Sequence, residues 1–430
     1  MSGGAAWLRA AAVAAVLLTA AVGGAAAREI VADPTAPDGL ARALDEAQAG
    51  DVVRLPPGVY AGPVIVEESL SIEGEPGAVI DGQGIGRVVE VRAPDVVLRG
   101  LTLRNSGISL AEQHAAVYLT KAAARALVEG NRFERNLVGV WLKGPRDVVV
   151  RNNVIEGRTD LRMNERGNGV YLWNAPGAQV IGNLITGGRD GIFVNASREN
   201  SFRGNRIIGT RIAVHYMYTH DSEVIGNLSQ GNHIGFALMY GDRMRVEGNR
   251  SVGDGEHGLM FNYANASVVS GNVVERGEDR CVFLFNANKN TIARNRFEGC
   301  DIGIYYTAGS DRNQIYENAL VGNRTQVKYV GTRLLDWSKD GRGNYWSDNT
   351  AYDLDQDGIA DQAYKPNDLI DEAVWRAPLA RALLTSPAVQ VLRWAQARFP
   401  ALHPGGVIDS APLMAPPAMP EVPAPVEASG

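Results

Sequence analysis

Residues 202–251 read FRGNRIIGTRIAVHYMYTHDSEVIGNLSQGNHIGFALMYGDRMRVEGNRS, and a short phrase recurs in them as RGNRI, IGNLS and EGNRS, centred on Asn205, Asn227 and Asn249. Outward from there the asparagine returns at Asn183, Asn153 and Asn131 on one side and at Asn272, Asn295 and Asn318 on the other. The intervals, in chain order, are 22, 30, 22, 22, 22, 23, 23 and 23 residues, and the long one carries an insertion at 158–168. A second marker runs in phase: a small residue ahead of an apolar run, at Gly139, Gly169, Gly191, Ala213, Gly235, Gly258, Cys281 and Gly303. Each unit consists of short alternating runs separated by Gly and Asn, with no helical period. That spacing suits one rung of a β-solenoid. A leucine-rich repeat has the same length, but the leucine ladder it needs is missing. The pattern predicts an all-β solenoid, a right-handed parallel β-helix, in which the asparagines stack as a turn ladder and have no catalytic role.

Aligning the rungs separates inside from outside. Counting from the small marker as zero, positions one and three are uniformly apolar, as in Val140/Leu142, Val214/Tyr216 and Leu259/Phe261, so they point inward. Positions two and four are mixed: Trp141/Lys143, Tyr171/Trp173, Phe193/Asn195, His215/Met217, Ala237/Met239, Met260/Asn262 and Phe283/Phe285. They point outward, and the strip they form is unusually rich in aromatics and methionine. Such a strip reads as a docking surface or groove, with Trp141, Trp173, Phe193 and Phe283 as candidate docking residues.

His215, Met217, Met239 and Met260 all fall on that strip within three consecutive rungs, and His233 and His257 stand just ahead of their strands on the same rungs. Thioether and imidazole together favour Cu(I), a soft ion, over hard cations. The same residues also suit an adaptable protein-docking face, and the two readings are compatible if copper crosses an interface. The main rival is a secreted carbohydrate-active β-helix enzyme: a uronate lyase, an epimerase or a glycoside hydrolase. Such enzymes need facing carboxylates, or a base opposite Arg or Lys. Asp190, Asp221, Glu223 and Glu256 are scattered across registers, and the His220-Asp221 dipeptide is weak support. Arg189 and Arg211 share a register suited to a uronate.

Downstream, DLDQDGIAD places Asp353, Asp355, Asp357 and Asp361 at alternating positions with Gly358 for the turn and the Ile359 carbonyl beside it. This is a calcium-loop spacing, but Tyr364 occupies position twelve, so the loop is not a complete EF-hand. The calcium expected here is structural. The net charge of −6 argues against nucleic acid. Two cysteines, Cys281 and Cys300, cannot build a disulfide scaffold or a four-thiolate zinc site; whether they pair is open. The Ala/Val/Leu-rich run after Arg9 ends in three alanines and reads as an exported signal peptide. The expected organisation is a signal peptide at 1–27, an N-terminal helical cap at 28–50, the β-helix at 51–335 and the acidic loop at 336–366. A helical C-terminal cap at 367–414 and a flexible Pro/Ala-rich tail at 415–430 complete it.

The C-terminal third carries the most specific stretches: GNYWSDN at 343–349, YDLDQDGIAD at 352–361, YKPNDLID at 364–371, SPAVQVLRWAQARFP at 386–400 and GVIDSAPLM at 406–414. On these the chain resembles the NosD family of periplasmic maturation proteins for the copper enzyme nitrous oxide reductase, from about Arg28 to Met414. The resemblance implies an accessory protein without turnover of its own. Its expected partners are a membrane ABC transporter permease and ATPase, a copper-donating lipoprotein and apo nitrous oxide reductase, with Cu(I) held transiently. It brings no compact copper motif, so the ligand assignment rests on the rung alignment.

Overall fold

The structure is a computed structural model that describes residues 27–307, 309–366, 369–398 and 406–419. The signal peptide expected at 1–27 lies outside the described residues except for Ala27. The chain winds as a right-handed parallel β-helix of about 14 turns. Three parallel sheets run its length. The first has 13 strands, from Glu29–Val31 to Gln314–Tyr316; the second has 13, from Gly58–Ala61 to Tyr345–Trp346; the third has 12, from Val64–Val66 to Thr325–Val330.

The repeated asparagine makes the bend between the first and second sheets. The residue ahead of it sits in the left-handed region, and glycine fills that place without strain at Gly204, Gly226 and Gly248, all with φ between +61° and +63°. The asparagines then stack. Asn227 Oδ1 accepts from the backbone N and the Nδ2 of Asn205, both at 2.9 Å, while Asn227 Nδ2 donates to the Phe202 carbonyl at 2.9 Å. The ladder crosses the 30-residue interval intact, with Asn153 N donating to Asn183 Oδ1 at 3.0 Å, so the insertion is looped out of the rung. It runs on to Asn344, whose N donates to Asp409 Oδ2 at 2.6 Å. The inward positions form one continuous core: Val140, Val214 and Leu259 are at most 1% exposed.

Helix Gly39–Glu46 buries Leu40 and Ala43 over the first rungs. Strand Glu29–Val31 nevertheless pairs with Val52–Leu55, so the sheet begins before residue 51. The other end differs from the expected helical cap. Strand Gly406–Ile408 pairs with Leu334–Asp336, and Leu413 bridges Tyr345 and Ile359. Trp346 Nε1 donates to the buried Asp409 at 2.7 Å, and Trp337, Trp346 and Tyr364 stack behind it. An aromatic plug thus closes the last rung, because it can satisfy the terminal asparagine as well as cover the core. The helices Leu369–Arg376 and Pro387–Arg398 pack on each other through Ile370, Val374 and Val389, and leave Leu379, Val391 and Trp394 exposed.

Candidate metal site on the outer face of the third sheet

The third sheet turns three columns of side chains outward. Strand register places Asp190, Ile212, Ile234, His257 and Arg280 in one column, and Phe193, His215, Ala237, Met260 and Phe283 in the next. The third holds Asn195, Met217, Met239, Asn262 and Phe285. Met217 and Met239 are direct cross-strand partners, so their backbones lie about 4.8 Å apart. Ala237 stands between His215 and Met260 and has no side chain beyond Cβ to hold them apart. Met260 packs against the buried Ile212, Ile234 and Ala237 cluster. The four donors named from the sequence therefore fall on three adjacent rungs of one outward face, in two neighbouring columns. Tyr218, Tyr240 and Tyr263 stack along one edge, with ring centroids 4.9 Å and 5.2 Å apart.

His215 is buried. Its Nδ1 lies 2.9 Å from Asp190 Oδ2, and its ring packs against Phe193 with centroids 4.7 Å apart. Asp190 also accepts from Arg211, Nε at 2.8 Å and Nη2 at 2.6 Å. Burial raises the Asp190 carboxyl, but the hydrogen bonds from His215 and Arg211 outweigh it and hold the pKa below the ordinary aspartate value.

The two alternate histidines are drawn elsewhere. His233 is exposed and pairs with Glu256 Oε2 at 3.2 Å. His257 is 2% exposed, with Nε2 facing Glu256 Oε1 and Arg280, both at 3.4 Å, and its ring against Phe283. Burial pushes its pKa down to about 4. Both histidines thus contact Glu256, and a guanidinium at His257 Nε2 opposes a cation at that nitrogen.

The docking residues divide. Trp173 is exposed, while Phe193 and Phe283 are half-buried on the outward face. Trp141 is only 6% exposed and is removed from the docking set. Leu161 of the insertion folds onto the cluster of Tyr118, Leu137, Val138 and Trp141 and covers it.

The carboxylates do not face one another across the groove. Asp221 pairs with Arg243, His220 pairs with Asp242 instead of Asp221, and Glu223 lies on the first sheet between Arg203 and Arg245. Asp190 and Glu256 are three rungs apart, roughly 14 Å along the helix, beyond the spacing of a glycosidase pair. Arg211 is engaged by Asp190 and not free for a uronate.

Cys281 and Cys300 form a disulfide with Cα atoms 5.7 Å apart, both buried, so neither offers a thiolate to a metal. Sequence reasoning passed over the Asp190–His215 contact because it sought carboxylates only as an enzymic pair. The signal was present, since Asp190 is 22 residues before Ile212 and so one rung before His215 on the same face. At the far end, Asp353, Asp355 and Asp357 bring carboxylate oxygens within 4.8 Å of one another. The negative charge of Asp357 is the main cause holding the Asp355 carboxyl above its ordinary pKa.

Solved structures with the same architecture include the A-module of the mannuronan C-5 epimerase AlgE6 from Azotobacter vinelandii. It is 14% identical at a TM-score of 0.51, over 69% of this chain and 93% of that one. The Streptococcus pneumoniae adhesin PfbA is 12% identical at a TM-score of 0.55, over 71% of this chain and 100% of that one. At these identities the likeness shows the fold alone. Residues 151–351 match the family described as "Periplasmic copper-binding protein (NosD)". A Stutzerimonas stutzeri protein named "Probable ABC transporter binding protein NosD" is 42% identical over 418 residues, covering 94% of each chain. A Pseudomonas aeruginosa protein of the same name is 44% identical over 374 residues, covering 84% of this chain and 87% of that one. With this extent of identity over most of its length, the chain belongs to the NosD family of periplasmic copper-binding proteins.

Proposed function

We propose that the protein is a periplasmic accessory factor that receives Cu(I) from a copper-donating lipoprotein and passes it toward apo nitrous oxide reductase. It would work beside an ABC transporter permease and ATPase and perform no catalytic turnover. The observation that carries this reading is the placement of His215, Met217, Met239 and Met260 on three adjacent rungs of one outward face. Copper is cargo here, and thioethers with one imidazole suit a Cu(I) site that must release its ion. Two further facts support it: both cysteines are taken by a disulfide, and the groove has no facing pair of carboxylates among its described residues. The exposed Trp173 and the tyrosine edge offer the partner a surface, with Phe193 and Phe283 in the groove beside them.

The test is Cu(I) titration of the mature protein against a competing chelator, with His215→Ala and a Met217→Ala/Met239→Ala double variant. The expected outcome is at least a tenfold loss of affinity in each, about 1.4 kcal/mol. Unchanged affinity in both removes the ligand assignment. Intact copper binding with failed reductase maturation in cells favours a docking role for the groove, and robust turnover of a uronate polymer overturns the accessory reading.

The Asp353, Asp355 and Asp357 cluster supports a second, separate reading: a structural Ca²⁺ joined by Asp361 and the Ile359 carbonyl. Millimolar Ca²⁺ then raises the melting temperature by roughly 2–4 °C over a chelator-treated sample, an effect lost in Asp355→Asn. Equal melting with and without Ca²⁺ counts against it.

A further inference from the structure

We infer that Asp190 is the positioning residue of the copper site: it fixes the His215 imidazole with the proton on Nδ1, so that Nε2 is the nitrogen offered to the ion. This rests on the reading of His215 as a ligand. The argument starts from cost. Asp190 is 1% exposed, and a buried carboxylate persists only when paired. Arg211 already supplies a two-pronged pair through Nε and Nη2 at 2.8 Å and 2.6 Å. The further contact to His215 Nδ1 at 2.9 Å is thus more than charge balance needs.

A carboxylate only accepts hydrogen bonds, so the hydrogen lies on Nδ1. Arg211 Nη2 also approaches Nδ1, but at 3.4 Å and with its shorter bond given to Asp190. With Nδ1 protonated, a neutral imidazole presents a bare lone pair at Nε2, the atom a metal takes. Among the described residues the hydrogen bonds of His215 are all made at Nδ1, and none at Nε2.

The ring is also held in direction. Phe193 backs one face at 4.7 Å, and Asp190 lies one rung earlier in the column on the far side from Met217 and Met239. The two ring nitrogens point roughly opposite ways, so turning Nδ1 toward Asp190 turns Nε2 away from it, to the methionine side. Carboxylate, imidazole and metal in series is a recurrent way to fix a ligand's tautomer and strengthen its basicity. It also keeps a hard anion near a soft ion without placing it among the donors.

The experiment needs no functional assay. Long-range ¹H–¹⁵N correlation of histidine-labelled, copper-free protein at about pH 8, above the ordinary histidine range, reads which ring nitrogen of His215 carries the proton. The expected result is Nδ1–H; an Nε2–H tautomer overturns the inference whatever the copper result. In parallel, Asp190→Asn is checked for native melting and titrated with Cu(I), with an expected ~10- to 100-fold loss of affinity and a changed His215 tautomer population. If His215→Ala lowers affinity but natively melting Asp190→Asn does not, the positioning role fails while the ligand reading stands. If His215→Ala changes nothing, the ligand reading fails and takes the copper role of Asp190 with it. If Asp190→Asn does not fold, the tautomer in the unaltered protein decides.

Discussion

The inward and outward faces of the third sheet are built from the same strands and obey different rules. Inward, each rung repeats the last: Val214, Phe236, Leu259, Val282 and Ile304 stack in register, all at most 1% exposed. Outward, neighbours in one column change type at every step, from Phe193 to His215, Ala237, Met260 and Phe283. A solenoid explains the contrast. Each inward side chain must fit the rung above and the rung below, so repetition is the low-strain solution. An outward side chain answers to no such constraint, and at Ala237 the column drops to a small residue that Met260 packs against. In this molecule periodicity marks what holds the fold, and departures from it mark what is left for chemistry.

The sharpest way to break that division is to exchange the readouts. Asn227→Ala removes one step of the inner ladder and leaves the backbone N and Nδ2 of Asn205 and the Phe202 carbonyl without their partner in a buried turn. Asn205 Nδ2 keeps its bond to the Val180 carbonyl, and each of the other two groups left unpaired costs about 1–3 kcal/mol, so we expect a loss of roughly 2–6 kcal/mol in chemical denaturation. Cu(I) affinity measured below the melting transition should not change. Met217→Ala/Met239→Ala should do the reverse. Both methionines are half-buried rather than core residues, so stability should move by about 1 kcal/mol or less while Cu(I) affinity falls at least tenfold. A large copper effect from Asn227→Ala, or a large stability effect from the methionine pair, would mean that the two faces are not separable.

The same division governs what the sequence made legible. The rung alignment through Asn131–Asn318 and the in-phase small residues located the interior and the outward face, and with them the placement of His215, Met217, Met239 and Met260 on adjacent rungs, because a 22-residue period turns directly into a strand register. Features without a period were not legible. The burial of Trp141 depends on how Leu161 of a non-repeating insertion folds back. The plug at Asp409 reaches Asn344 across 65 residues with no repeat to announce it. His257 is a ligand candidate on spacing alone, and only the approach of Arg280 and Glu256 shows that its Nε2 is already engaged. Asp190 required the diagonal relation between columns, one rung and one column from His215, which a linear alignment does not display.

The smallest expected effect tests whether the inward face is free of titrating chemistry. Besides the asparagine ladder, a second inward column runs Thr210, Asn232, Asp254. Asn232 Oδ1 accepts from Thr210 N at 2.7 Å, and Asp254 Oδ1 accepts from Asn232 N at 2.8 Å. The other oxygen of Asp254 accepts from the hydroxyls of Ser229 at 2.6 Å and Ser251 at 2.5 Å. Asp254 is fully buried, and burial raises its pKa above the ordinary aspartate value despite those donors. The sign follows from linkage. A carboxyl whose folded pKa is raised holds its proton more tightly folded than unfolded. Its stabilising contribution is therefore complete below about pH 3.9 and is lost as pH rises through the folded value. Asp254→Asn keeps the shape and carries no titrating proton. Denaturation of both proteins from about pH 3.5 to 8 should show the stability of the unaltered protein, relative to the variant, falling as pH rises and then levelling once the carboxylate has formed. A difference that stays flat or grows with pH would mean that Ser229, Ser251 and Asn232 outweigh burial and hold Asp254 ionised. The second column would then carry a fixed negative charge in the solenoid interior, two residues from Glu256 and behind the outward face where copper is proposed to sit.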